Sequence, residues 1–140
     1  MSEVTYKSLG DAIERLREAL ILLENHRSDD LLVSMRNSVL LSFQFTYALC
    51  RPMIERFLVS EGEDPLEIQE MSYATLIRTA NERGILNASW TTWSTFRDAR
   101  NRMAHVYSES VAEEILTRVP EFLTAASFLY DQLTPRSTTP

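Results

Sequence analysis

The chain has 140 residues, 44% hydrophobic and 24% charged, a balance that supports one buried core and excludes wholesale disorder. Its formal net charge of -6 excludes broad, nonspecific coating of nucleic acid while leaving room for a local basic site. The longest greasy region, residues 31–58, is broken by Arg36, Asn37, Gln44, Arg51, Glu55 and Arg56, so no span reaches the roughly 18 apolar residues of a membrane helix.

Three glycines and five prolines are few, which favours long regular elements. Leu9, Ile13, Leu16, Leu20 and Leu23 recur at steps of four and three, the stripe of an amphipathic first helix. Ser8 with Asp11 has the spacing of a capping box, and Gly10 weakens the first turn. Ser28 is expected to cap a second helix opening on Asp29 and Asp30, carboxylates that suit a helix N-terminus. That helix keeps its apolar period through Leu32, Met35, Val39, Phe43, Thr46, Leu49 or Cys50, Met53, Phe57 and Leu58, with Pro52 bending it and Gly62 and Pro65 ending it. Phe43, Phe45 and Tyr47 give it more aromatic surface than one small core requires, so pairing across a dimer stands beside packing within one chain.

A third helix is predicted over 72–83, with Gly84 and Ile85 as a left-handed cap. A fourth starts at Asn87 or Ser89, carries Trp90, Trp93 and Phe96, and reaches His105. Ser110 with Glu113 caps a fifth, whose apolar face runs through Ile115, Leu116, Val119, Phe122, Leu123, Ala126, Leu129 and Leu133, with Pro120 as a candidate kink. No strand, repeat or linker emerges. The expectation is an all-α, antiparallel (up-and-down) bundle of four to five helices, one domain over residues 1–134, with a disordered tail at 135–140.

The segment from Arg100 to Tyr107 concentrates the chemistry: Arg100, Asn101, Arg102, His105 and Tyr107 lie within eight residues at a helix end. Arginine grips phosphate oxygens in a planar fork, and histidine moves protons near neutral pH. Arg97, Arg100 and Arg102 are opposed locally only by Asp98. On a straight helix Arg97, Asn101 and His105 form one stripe, whereas Arg100 and His105 sit about 140° apart. Those two reach one phosphate only if the helix ends near His105 or if two copies face each other. The bland reading of the same residues is a histidine complementing exposed helix-end carbonyls and a half-wet tyrosine. Other chemistries lack their residues. There is no Walker loop or dinucleotide fingerprint, no Glu-x-x-His pair, no Cys/His zinc cluster and no nucleophile elbow, so neither cofactor nor metal is expected. Cys50 stands alone and can form no intrachain disulfide, and no basic-then-apolar leader opens the chain; a cytoplasmic location is expected.

Arg100-Asn101-x-x-x-His105-x-Tyr107 resembles the Arg-x4-His-x-Tyr signature of HEPN domains, specifically the small HepT-like proteins also called nucleotidyltransferase substrate-binding subunits. The resemblance extends over residues 9–133: Gln44-Phe45-Thr46-Tyr47 on a long helix, Gly84-Ile85-Leu86 followed by Trp93, then Arg100-Asn101 and a final helix keep the family's order. It implies a dimeric helical bundle acting as a metal-independent endoribonuclease toxin. It also implies an antitoxin partner, a minimal nucleotidyltransferase of the MNT type that adds AMP to the signature tyrosine, here Tyr107. By the same resemblance Arg100 and His105 would be catalytic, and Asn101 would orient His105 or touch phosphate. Arg97 and Arg102 are expected to add weaker attraction for RNA. The alternative is a non-catalytic subunit that presents substrate to the transferase. One departure concerns the long helix, where the family often has an acidic residue followed by Trp-Lys and this chain has Ala48, Cys50 and Arg51.

Overall fold

The computed structural model of the protein describes residues 5–26 and 30–134. Among them the chain forms six α-helices: α1 (Lys7–Asn25), α2 (Leu32–Ser60), α3 (Pro65–Glu70), α4 (Tyr73–Glu82), α5 (Trp90–Asn101) and α6 (Glu109–Leu133). A 3-10 turn, Arg102–His105, joins α5 to α6, and the described residues contain no strand.

Contacts along the helices set their directions. Gly10 and Arg17 of α1 meet Tyr130 and Ser127 of α6 in descending order, so these helices run antiparallel. Arg36 and Phe43 of α2 meet Glu113 and Phe122 of α6 in ascending order, so those two run parallel. Phe96 of α5, and Arg102 just beyond it, meet Phe122 and Glu114, which opposes α5 to α6. The product is the expected up-and-down bundle, built from α1, α2, α5 and α6, with α3 and α4 in the connection between α2 and α5.

The apolar stripes read from the sequence face the core. Leu9, Ile13, Leu16 and Leu23 of α1 are buried, as are Ile115, Val119, Phe122, Ala126, Leu129 and Leu133 of α6. Phe122 is the hub, with Phe43 at 5.1 Å, Phe96 at 5.4 Å and Trp93 at 6.2 Å, all near-perpendicular. Each such edge-to-face pair adds about 0.5–1.5 kcal/mol to what burial alone contributes. On α2 the choice between Leu49 and Cys50 falls to Cys50, which is fully buried. Phe43 and Tyr47 turn inward, while Phe45 stays 59% exposed.

Several boundaries differ from expectation. α1 has Tyr6 at its cap position and no side-chain cap; Asp11 pairs with Lys7 at 2.9 Å instead of closing a box with Ser8. α2 begins at Leu32, so Asp30 precedes it, and Ser28 and Asp29 lie outside the described residues, as does 135–140. α2 and α6 continue through Pro52 and Pro120. Pro65 opens the short α3 as well as following α2; lacking an N–H, proline suits a first helical position whose donor would be unpaired anyway. α4 starts as expected, the Ser72 hydroxyl accepting from the Thr75 amide, and α5 starts at the second of its two candidates, Ser89 accepting from Thr92. α6 is capped by Ser108, which accepts from Val111, and Ser110 already lies in its first turn. Gly84 has φ +79° and ends α4 in a left-handed cap, where the Ile85 amide reaches back to the Ala80 carbonyl at 3.1 Å.

Candidate functional site

Core packing decides which way the candidate side chains point. Trp93, Phe96 and Ala99 of α5 are buried, which leaves Arg97 and Asn101 on its exposed side, while Arg100, one turn after Phe96, lies beside the buried stripe and is exposed where the helix ends. After Asn101 the backbone tightens into the 3-10 turn, which advances about 120° per residue instead of about 100°. His105 therefore lies about 120° round from Asn101 rather than about 40°, and the expected Arg97–Asn101–His105 stripe is broken. α5 stops at Asn101, short of the predicted His105.

His105 is exposed, with its Nδ1 atom 3.4 Å from the Tyr107 hydroxyl and the two rings edge-on at 6.0 Å. Tyr107 is 84% exposed. Arg100 and Asn101 stand between two recesses. One, of about 280 Å³, is also lined by Gln44, Met103 and Ala104. The other, of about 400 Å³, is also lined by Tyr47, Arg51, Tyr73 and Arg97. His105 lines neither, so within one chain the guanidinium of Arg100 and the imidazole of His105 do not meet in either of these recesses. Arg102 is turned away: it pairs with Glu114 at 2.7 Å and lines a separate recess with Asp98 and Arg118.

The charges on this face are unevenly neutralised. Among the described residues no carboxylate pairs with Arg97 or Arg100. Arg97 lies instead over the Trp90 ring, 4.9 Å from its centre, two helical turns back along α5. Arg51 lies over Tyr73 at 4.9 Å, pairs with Glu55 at 3.1 Å and donates to the Met71 carbonyl. Burial pushes the Tyr47 phenol up, while the Tyr73 hydroxyl and the positive charges of Arg97 and Arg100 pull it back. Burial likewise pushes the Tyr73 phenol up. The two phenols are close enough to act on each other's ionisation, yet the Tyr73 hydroxyl is buried without an aligned hydrogen-bond partner. Among the described residues no group of three or more His, Cys, Asp or Glu side chains is placed to hold a metal ion, and no helix is long and apolar enough to cross a membrane.

Sequence reasoning gathered Arg97, Arg100 and Asn101, and the structure brings these three around one recess. It missed Tyr73, which lines the same recess, and Trp90, whose ring supports Arg97 from outside it. The seven-residue spacing from Trp90 to Arg97 was legible as one helix face, but the approach of Tyr73 from another helix was not.

Residues 4–135 match the family described as nucleotidyltransferase substrate binding protein like, and the chain belongs to that family. It is 25% identical over 134 residues to a Haemophilus influenzae protein named "Probable ribonuclease HepT", covering 92% of this chain and 91% of that one. Its fold is similar, with a TM-score of 0.85 at 22% identity, to a structure from the same organism described as revealing the fold of a substrate binding domain of a nucleotidyltransferase. That likeness covers 92% of this chain and 98% of the other.

Proposed function

We propose that the protein is a HEPN-type, metal-independent endoribonuclease, the toxin of a toxin–antitoxin pair in the cytoplasm. Its antidote is an MNT-type nucleotidyltransferase that transfers AMP to Tyr107. The observation that carries this reading is the exposed, unneutralised Arg100 followed by an exposed His105 one 3-10 turn later, in a chain of the HepT-like family.

In the proposed reaction the RNA 2′-hydroxyl attacks the adjacent phosphorus. His105 takes its proton, the bond to the 5′-oxygen breaks, and that oxygen leaves as a hydroxyl after gaining a proton. The products are a 2′,3′-cyclic phosphate and a 5′-hydroxyl end. Arg100 binds the non-bridging oxygens, where negative charge gathers in the transition state. Asn101, beside Arg100 on the rim of the same recesses, adds a donor for phosphate. Arg97 draws the RNA backbone in, and Arg102, paired with Glu114, is left a weak, indirect contribution.

A homodimer reconciles this chemistry with the separation of Arg100 and His105. Leu41 and Phe45, one turn apart on α2, are 69% and 59% exposed and flank Gln44, which lines a recess with Arg100. Pairing two such faces hides apolar surface and sets the His105 of one copy opposite the Arg100 of the other. The AMP switch has a simple physical basis. A nucleotide joined to the Tyr107 hydroxyl, 3.4 Å from His105, adds bulk and negative charge where RNA phosphate must sit.

The test is cleavage of single-stranded RNA by the purified protein with and without chelator. Cleavage should survive the chelator, and His105→Ala or Arg100→Ala should lower it by at least about a hundredfold, the scale of a lost general acid–base or charge-stabilising group. Undiminished cleavage by His105→Ala removes the histidine from the mechanism. The alternative, a non-catalytic subunit presenting substrate to the transferase, draws support from the description of the similar structure; it predicts no cleavage and tight binding to the transferase.

A further inference from the structure

We infer that Arg36 is a positioning residue for His105: by gripping the first turn of α6 from α2, its guanidinium fixes where the imidazole stands. The inference deepens the ribonuclease reading and rests on it for the consequence in catalysis. The Arg36 side chain is 11% exposed, and its Nη1 donates to Glu109 at 3.1 Å and to Glu113 at 2.9 Å. Glu109 opens α6, two residues after Tyr107 and four after His105. The same segment is tied at its other end, where Arg102 opens the 3-10 turn and pairs with Glu114 at 2.7 Å. Between these ties Met103 and Val106 are half-buried against the core, while His105 and Tyr107 stand exposed.

The chemistry of this brace argues for placement over stability. A nearly buried guanidinium is costly to desolvate, and a well-packed apolar side chain of similar size often serves stability as well or better. Here the cost is larger still, because the Arg36 Nε is buried with no hydrogen-bond partner among the described residues. What the ion pairs add is direction. Two carboxylates one turn apart on α6 converge on a single nitrogen, which fixes the rotation of that helix where an apolar contact would let it slide. α2 is the frame that gives this fixing its value. Two turns beyond Arg36 it carries Gln44, which lines a recess with Arg100, and beside Gln44 the exposed Leu41 and Phe45 of the proposed dimer face. Keying α6 to α2 therefore sets His105 in register with the face that brings in the Arg100 of the other copy.

The test pairs cleavage of single-stranded RNA with an NMR readout of His105 that needs no activity. The chain has two histidines, so the His105 Cε1–H signal is identified by its loss in His105→Ala. The Tyr107 ring, 6.0 Å away, makes the shift of that signal sensitive to placement. Arg36→Met combined with Glu113→Gln removes the tie at constant net charge. This double variant should melt within a few degrees of wild type or higher, and its His105 signal should move or broaden. Its kcat should fall at least about tenfold with KM within about twofold, since a misplacement on the order of 1 Å costs up to about a hundredfold. Arg36→Lys should keep cleavage within about threefold of wild type, because one cationic nitrogen serves both carboxylates. Arg17→Met, which breaks a different link to α6, the one to Ser127, should leave both the signal and kcat unchanged. An unmoved His105 signal or an unchanged kcat in the double variant overturns the inference. So does loss of its fold, which makes Arg36 a structural brace alone, or an equal loss of kcat in Arg17→Met. If the wild type leaves RNA intact while the His105 signal still follows Arg36, the cleavage reading falls and the placement of His105 by Arg36 stands.

Discussion

Tyr107 presents its hydroxyl to solvent beside His105, and neither residue is held by the core. Its replacement is therefore a clean probe. Tyr107→Phe should fold and cleave RNA within a few-fold of wild type, yet gain no AMP mass when incubated with the partner transferase and ATP; a labelled Phe variant would move the modification elsewhere. Cys50 is the opposite case, fully buried, with burial pushing its thiol from 9.0 up to about 12. A raised folded pKa means the unfolded chain releases this proton first. The thiol's contribution to stability is thus complete below about pH 9 and is lost as pH rises from there towards about 12. The buried phenols of Tyr47 and Tyr73 are shifted the same way and add to the loss at still higher pH. Denaturant midpoints should be flat from pH 7 to 8.5 and fall above about pH 9, and Cys50→Ala should soften the first part of that fall. A midpoint that rises with pH in this window contradicts the sign.

Between helices, a close approach falls at Gly10, which reads in the sequence only as a weak point in a first turn. A methyl group there would sit 2.6 Å from the tip of the Tyr130 ring of α6, so the glycine makes room for that ring against α1. Gly10→Ala should cost about 1–3 kcal/mol through overpacking. In a Tyr130→Ala background the same change should become neutral or stabilising, since alanine is the better helix former by roughly 1 kcal/mol. Thermal melts of the four proteins complete the cycle. The caps teach the same lesson about reach. Ser72 and Ser89 were legible because each hydroxyl needs only an amide three residues on. Ser108 displaced Ser110 because the 3-10 turn at Arg102–His105 sets where α6 begins, and a helix-period reading carries α5 straight through that turn.

For the molecule as a whole, one consequence of the proposed dimer separates it from a monomeric enzyme. Phe45→Glu places a charge on an already exposed position, so the monomer fold should keep its melting behaviour. Light scattering should show a halved mass for the variant, and RNA cleavage should fall with it. Full activity in a monomeric Phe45→Glu protein would show that one chain carries the site alone.

The bundle was written in the residue pattern, because apolar stripes at helical spacing leave four long helices no other way to hide their faces. The signature from Arg100 to Tyr107 was equally legible, being contiguous in the chain. Periodicity could not tell that Arg102 would pair with Glu114 on the far side of α5, or that Tyr73 of α4 would stand between Tyr47 of α2 and Trp90 of α5. Those placements depend on how helices distant in sequence cross and on where α5 gives way to a tighter turn. Only packing in three dimensions decides such things, since local spacing constrains a helix's own faces and says nothing of its neighbours.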